Sequence, residues 1–279
     1  MDPNTFSKQL LFNTVRIVTE TPNGLSSGTG FIVDAAHATE GGDFMLPVIV
    51  TNKHVLAGAT KTTVTFIPKE KGSSRPALGT AIEVDFGPGE IPTYEHPDPV
   101  VDVAAFELGP LMDTIEDEIF FVTLPREILP SAEVASKLDA VEEVTFVGYP
   151  NGYYDEQHYT PIIRRGITAT PIALPFSGRP VFLVDGSVFG GSSGSPVFIL
   201  NQGTYSDGKG SMILGSRLLL VGVIAATMLR HKELPLEVRH APHTKLAQEI
   251  NLGVVFDYVA ITRVLDLIRD AKLTHLQSK

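Results

Sequence analysis

The chain has 279 residues, none of them cysteine, with 43% apolar residues, 19% charged residues and a formal net charge of −10. That composition supplies a large core and excludes a disordered chain, while the excess of acid excludes a nucleic-acid surface, which needs clustered Lys and Arg. Without cysteine there is no disulfide framework, thiolate metal site or thiol nucleophile.

The first five residues, Met1-Asp2-Pro3-Asn4-Thr5, lack the basic flank and apolar stretch of a secretion signal. A weak helical pattern covers Thr5 to Phe12. Gly28 to Val33 and Pro47 to Thr51 then read as two strands joined by a polar hairpin loop that contains His37, with further strands at Thr62 to Ile67 and Val103 to Leu108. Pro110 to Asp139, acidic and broken by Pro125 and Pro130, reads as the connection between two β-rich halves.

The second half repeats the style at Val144 to Val147, Gly166 to Ile172, Val181 to Val184, Pro196 to Leu200, Leu218 to Ala225 and Gly253 to Phe256. The longest apolar run, Leu218 to Leu229, is twelve residues with Gly222 inside it, a buried strand rather than a membrane span. Arg164-Arg165 reads as solvated loop charge. Ile261, Val264, Leu265 and Ile268 fall at i, i+3, i+4 and i+7, the apolar stripe of a C-terminal helix. Many short strands and one strong helix predict an all-β protein of barrels or a sandwich, in a cytoplasmic setting with no membrane association.

Three segments carry chemistry. Gly190-Gly191-Ser192-Ser193-Gly194-Ser195-Pro196 allows a tight turn whose amide N–H groups stay open to a ligand. A serine hydroxyl is a weak nucleophile that needs a base for its proton and donors for the oxyanion; the amides of Gly191 and Ser193 are placed to donate. Thr51-Asn52-Lys53-His54-Val55 puts a histidine at the end of an apolar strand. Asp98-Pro99-Val100-Val101-Asp102 puts a carboxylate before a buried one, where an unpartnered charge is costly. Each segment alone also reads as structure: a Gly/Ser surface turn, a core histidine, a strand-edge acid. Asp98 is the rival acid, set in a turn-like stretch before Pro99.

Together these segments resemble trypsin-like peptidases: Gly28-Thr29-Gly30-Phe31, Thr51 to Val55, Asp98 to Ala104 and Gly191 to Pro196, with Phe146 to Gly152 as a further likeness and bacterial HtrA-type protease domains as the nearest flavour. The order His, Asp, Ser is that of the chymotrypsin arrangement. The resemblance implies a two-barrel chymotrypsin-like fold with six strands per barrel: residues 1–124 carrying His and Asp, 125–258 carrying Ser, and 259–279 forming a helix and tail. It implies a serine endopeptidase with His54 as general base, Asp102 orienting it, Ser193 as nucleophile, and the amides of Gly191 and Ser193 as the oxyanion hole. Ser187, Val188 and Phe189 would approach the primary specificity pocket, and Ala225, Ala226 and Thr227 would pair with the substrate backbone. With no acid at Ser187, a neutral small or apolar residue is expected before the cut.

Two departures stand out. Ser192 precedes the nucleophile where secreted trypsins carry an aspartate that pairs with a freed N-terminus, and neither an Ile-Val-Gly-Gly start nor a PDZ domain is visible. These motivate an alternative, a binding or regulatory module of low turnover, or a peptidase organised by an activating protein partner or a homo-oligomer. No cofactor is expected, and the partner otherwise is a protein or peptide substrate. Ser192 also fits a G-x-S-x-G esterase elbow, but Pro196 and strand-forming residues follow where that motif needs a helix. His231, His240 and His243, near Glu233, Glu237 and Glu249, lack a metal-ligand spacing. His96, His158 and His275 have no constellation, and Tyr149, Tyr153, Tyr154 and Tyr159 read as loop packing.

Overall fold

Runs such as Phe31-Ile32-Val33 and Val48-Ile49-Val50 are apolar at every position because both faces of their strands are buried. In a computed structural model of the chain, Ile32 and Ile49 point into one core while Phe31, Val33, Val48 and Val50 point into another. The structure describes residues 1–36, 45–109, 115, 117–206, 211–234 and 244–277, without the side chains of 226–234, 244–250 and 275–277. His37 and the side chains of His231, His240, His243, His275, Glu233, Glu237 and Glu249 lie outside the described residues.

A short helix α1 (Phe6–Asn13), N-capped by Thr5, leads into β1 (Thr14–Thr21). With β2 (Gly24–Asp34), β3 (Pro47–Thr51), β4 (Lys61–Pro68), β5 (Ile82–Phe86), β6 (Thr93–Glu95) and β7 (Ala104–Glu107) it forms a curved sheet ordered β5-β4-β1-β2-β3-β7-β6, and β8 (Ile119–Phe120) pairs with β4. Among the described residues this first half is therefore an eight-stranded half-barrel where six strands were expected; the two shortest strands, β6 and β8, have three and two residues. A four-residue helix α2 (Lys53–Leu56) follows β3 directly.

The second half matches the six-strand expectation. Strands β9 (Glu143–Gly148), β10 (Ile162–Thr168), β11 (Val181–Asp185), β12 (Pro196–Asn201), β15 (Arg217–Leu234) and β16 (Thr244–Asp257) close in the order β10-β11-β16-β15-β12-β9. A small hairpin of β13 (Thr204–Ser206) and β14 (Met212–Leu214) stands apart, and α3 (Ala132–Ala135) lies in the connection between the halves. Strand β10 begins four residues earlier than the sequence predicts, so Arg164 and Arg165 lie on a strand rather than in a loop.

Val144, Phe146, Phe182, Val197, Ile199 and Val255 fill the closed barrel. A third core lies between the halves: Phe198 and Val147 from one side meet Phe31 and Val50 from the other, and Ile261, Val264, Leu265 and Ile268 of helix α4 (Tyr258–Gln277) complete it, all four fully buried. The helix also reaches the first half, where Lys272 Nζ lies 2.6 Å from the buried Glu107 of β7. Among the described residues no helix is long and apolar enough to cross a membrane.

Candidate active site

The cleft edge of the first half is set by Thr51-Asn52-Lys53-His54. Strand β3 ends at Thr51, Asn52 turns extended (φ −93°, ψ 152°), and His54 stands in the first turn of α2. Two neighbours draw in the acid-bearing segment: Asn52 Nδ2 donates to the Asp102 carbonyl at 2.6 Å, and Lys53 Nζ donates to the carbonyls of His96 and Asp98 at 2.7 and 3.1 Å. Asp102 thereby meets His54 with both carboxylate oxygens, Oδ2 at 2.5 Å from the ring Nδ1 and Oδ1 at 3.0 Å from the backbone amide. Burial pushes the Asp102 carboxyl upward, but hydrogen bonds and charge attraction from His54, with the amides of His54 and Lys53, outweigh it and hold the group below the ordinary carboxylate value. The Asp98 carboxylate takes no part in this pairing: it accepts from the Val100 amide at 3.0 Å and caps its own turn.

In the other half, Ser192 N–H donates to the Phe189 carbonyl at 3.1 Å and Gly191 has φ +77°, a type II turn that places glycine where φ must be positive. Every carbonyl from Gly190 to Ser193 is engaged: Gly190 by the Asn151 amide at 2.5 Å, Gly191 by the Thr29 hydroxyl at 3.1 Å, Ser192 by the Ser195 amide at 3.0 Å and Ser193 by the Thr29 amide at 2.8 Å. A trans peptide directs its N–H opposite to its C=O. The amides of Gly191 and Ser193 consequently point away from the groups that hold the preceding carbonyls, and among the described residues neither donates to protein. Ser192 is buried and neutral, so no counter-ion is required at a position where a carboxylate would need one.

The serine loop and the His54 strand end converge on Thr29. A Cβ at Gly194 would overlap the Thr29 carbonyl and lie 2.6 Å from Thr51 Oγ1, and Thr51 Oγ1 donates to that same carbonyl at 2.7 Å. The structure thus sets Ser193 beside the segment that ends in His54. The Ser193 hydroxyl, however, donates to the Ala225 carbonyl at 3.2 Å, and no hydrogen bond joins it to His54.

The residues expected at the specificity pocket and the substrate backbone divide. Ser187 is exposed and Phe189 half-buried, whereas the Val188 side chain points into the barrel core against Val184 and Gly253, leaving only its backbone for a cleft. Ala225 and the backbones of Ala226 and Thr227 lie in β15; the last two pair with Val254 and Gly253 of β16, and their side chains lie outside the described residues. Sequence reasoning missed Arg164, whose guanidinium donates to the Ser187 carbonyl and lies 4.7 Å over the Phe189 ring; the alternation along β10 is the signal that separates it from exposed Arg165, which pairs with Glu143 at 2.8 Å. It also missed Thr29 as a contact hub. Tyr154 and Tyr159 stack at 5.9 Å and Tyr149 meets Tyr154 edge-on at 6.3 Å, while Tyr153 is exposed. His158 pairs with Asp155 at 2.8 Å, and His96 Nδ1 accepts the Asp98 amide.

A half-barrel and a closed six-stranded barrel with these groups at their junction define the chymotrypsin-like class of β-proteins. The trypsin-like peptidase domain family matches residues 28–204, well over half of the sequence, and the chain belongs to that family. No curated protein matches the sequence. Among solved structures, the chain is similar to a serine-to-alanine variant of the HtrA-type protease AlgW with a tripeptide (14% identity, TM-score 0.51), covering 96% of this chain and 64% of that one. It is also similar to an inactive-form mutant of Rv3671c from M. tuberculosis (17%, TM-score 0.47, covering 96% and 94%) and to a serine endoprotease from Yersinia pestis (15%, TM-score 0.49, covering 97% and 69%).

Proposed function

We propose that this trypsin-like peptidase cleaves protein or peptide substrates as a serine endopeptidase. Ser193 attacks the scissile carbonyl, His54 takes its proton and returns it to the leaving amine, and Asp102 keeps the imidazole in the required tautomer and stabilises its charged form. The amides of Gly191 and Ser193 receive the oxyanion, and water then hydrolyses the acyl-enzyme. The observation that carries this reading is the combination of a doubly held His54–Asp102 pair with a serine loop whose carbonyls are all engaged and whose two amides are not.

Substrate selection follows from charge. Ser187 brings no acid, and the Arg164 guanidinium at its carbonyl repels a cationic side chain, so the residue before the cut is neutral or acidic rather than Lys or Arg. Profiling a peptide library tests this, and selection for Arg would overturn it.

One observation favours a second reading, a peptidase organised by its substrate, an activating partner or a second copy: the Ser193 hydroxyl rests on Ala225 rather than on His54. A fluorophosphonate probe separates the two. Labelling of the purified chain that disappears in Ser193→Ala supports the enzyme as it stands. A folded chain labelled only after a partner or lysate is added supports the second reading, and a chain never labelled supports a binding module.

A further inference from the structure

We propose that Thr29 is a positioning residue that holds the oxyanion donors in place from the opposite half of the molecule, without a charged chain end. The inference rests on the serine-peptidase reading for its catalytic consequence, and on geometry alone for its structural one.

Thr29 is fully buried in β2 and uses every hydrogen-bonding group it has. Its amide donates to the Ser193 carbonyl at 2.8 Å, and its own carbonyl accepts the Thr51 hydroxyl at 2.7 Å. Its hydroxyl donates to the Gly191 carbonyl at 3.1 Å and accepts from the Tyr149 amide at 3.1 Å. A hydroxyl has one proton, so an amide on one side and a carbonyl on the other fix both roles without ambiguity. The neighbouring Gly28 lets the strand come this close, since a Cβ there would lie 2.7 Å from both methyls of Val55, the residue after His54.

The consequence falls on one glycine. The Gly190 carbonyl is held by Asn151 and the Gly191 carbonyl by the Thr29 hydroxyl, so both peptide planes that meet at the Gly191 Cα are pinned. Glycine crosses readily between positive and negative φ, and a released plane lets the turn rotate its amide out of the donor position. Thr29 also ties this loop through Thr51 to the strand that ends in His54, linking donor placement to base placement in one residue. Where trypsins use an aspartate and a freed N-terminus, this chain has buried, neutral Ser192 and a threonine bolt.

Thr29→Val keeps the shape and removes the hydroxyl; Thr29→Ser keeps it. With the fluorophosphonate probe, the inactivation rate constant should fall on the order of a hundredfold in Thr29→Val, the loss typical of a misplaced oxyanion donor, and stay within about threefold of the parent in Thr29→Ser. Amide hydrogen exchange across residues 186–195 should accelerate in the valine variant and not in the serine variant, at matched fractions folded by urea titration. Equal exchange in the two variants would overturn the proposal. If the parent chain takes no label either alone or with a partner or lysate added, the serine-peptidase reading fails, while exchange still decides whether Thr29 holds the loop. Should Thr29→Val not fold, Thr29→Ala is read in the same way.

Discussion

Asp102 holds His54 at two points, the ring Nδ1 at 2.5 Å and the backbone amide at 3.0 Å, so the acid fixes both the orientation of the imidazole and the turn that presents it. Asp102→Asn keeps the second contact and loses the first as a charge pairing. Fluorophosphonate labelling should slow by about a thousandfold or more with the fold intact. The pH dependence has a definite sign. The folded carboxyl lies below its ordinary value of 3.8, so its stabilising contribution is complete above pH 3.8 and is lost as pH falls through the lowered folded value. Melting temperatures of the parent and Asp102→Asn, measured as pH is lowered below 3.8, should therefore converge; a gap that widens in acid would contradict the pairing.

Gly194 follows Ser193 with φ +85°, where an added Cβ would run into the Thr29 carbonyl and into Thr51 Oγ1. The first obstacle is backbone held by its own hydrogen bonds, and it has nowhere to move. Gly194→Ala should cost at least about 2 kcal/mol and abolish labelling. A chemical denaturation midpoint within error of the parent would show that the two halves do not meet as tightly as the structure places them.

Glu107 is almost fully buried in β7, with Lys272 of α4 at 2.6 Å and the Tyr94 hydroxyl donating at 3.0 Å. Burial, followed by the Glu107 hydrogen bond and charge, pushes the Tyr94 phenol up to about 12. Lys272→Ala leaves a buried carboxylate with one neutral partner. Breaking a fully buried pair costs about 3–5 kcal/mol; Lys272 is 37% exposed, so about 1–3 kcal/mol is expected here after solvent screening. Combining Lys272→Met with Glu107→Gln should restore most of the loss, because no charge is then stranded. Failure of the double variant to recover in a urea titration would mean that the helix contributes by packing alone.

The parts of the fold legible in the sequence are those where one physical requirement dominates. The stripe Ile261, Val264, Leu265 and Ile268 gives α4 because only a helix puts those four on one face, and all four are buried. Phe31-Ile32-Val33 and Val197-Phe198-Ile199 give strands because both faces meet cores. Strand β1 is missed: it sets Val15, Ile17 and Thr19 on its buried face against Arg16 and Val18 on the other, too little contrast to stand out, and its place comes from pairing with β2 and β4. At the site, residue types and their order pick out His54, Asp102 and the serine loop. Thr29 is invisible because its role lies in contacts to residues more than a hundred positions away, and a threonine between two glycines has no local signature of that. The Ser193 hydroxyl lying on Ala225 is likewise a rotamer, a choice no sequence pattern encodes.

Asp257 closes β16 and caps α4, its Oδ1 accepting from the amides of Val259 and Ala260 at 3.0 and 3.2 Å. Burial raises its carboxyl above 3.8, and the two amides offset this only in part. A raised carboxylate binds its proton more readily in the folded state, so this group alone makes the fold less stable as pH rises from 3.8 through the folded value. Two variants separate the cap from the charge. Asp257→Ala removes both and should destabilise by about 1 kcal/mol at neutral pH. Asp257→Asn keeps an acceptor oxygen for the two amides and removes the buried charge, and should match or exceed the parent above that pH window. A loss in Asp257→Asn equal to that in Asp257→Ala, measured by thermal unfolding at pH 7, would mean that the charge on the helix N-terminus outweighs its desolvation.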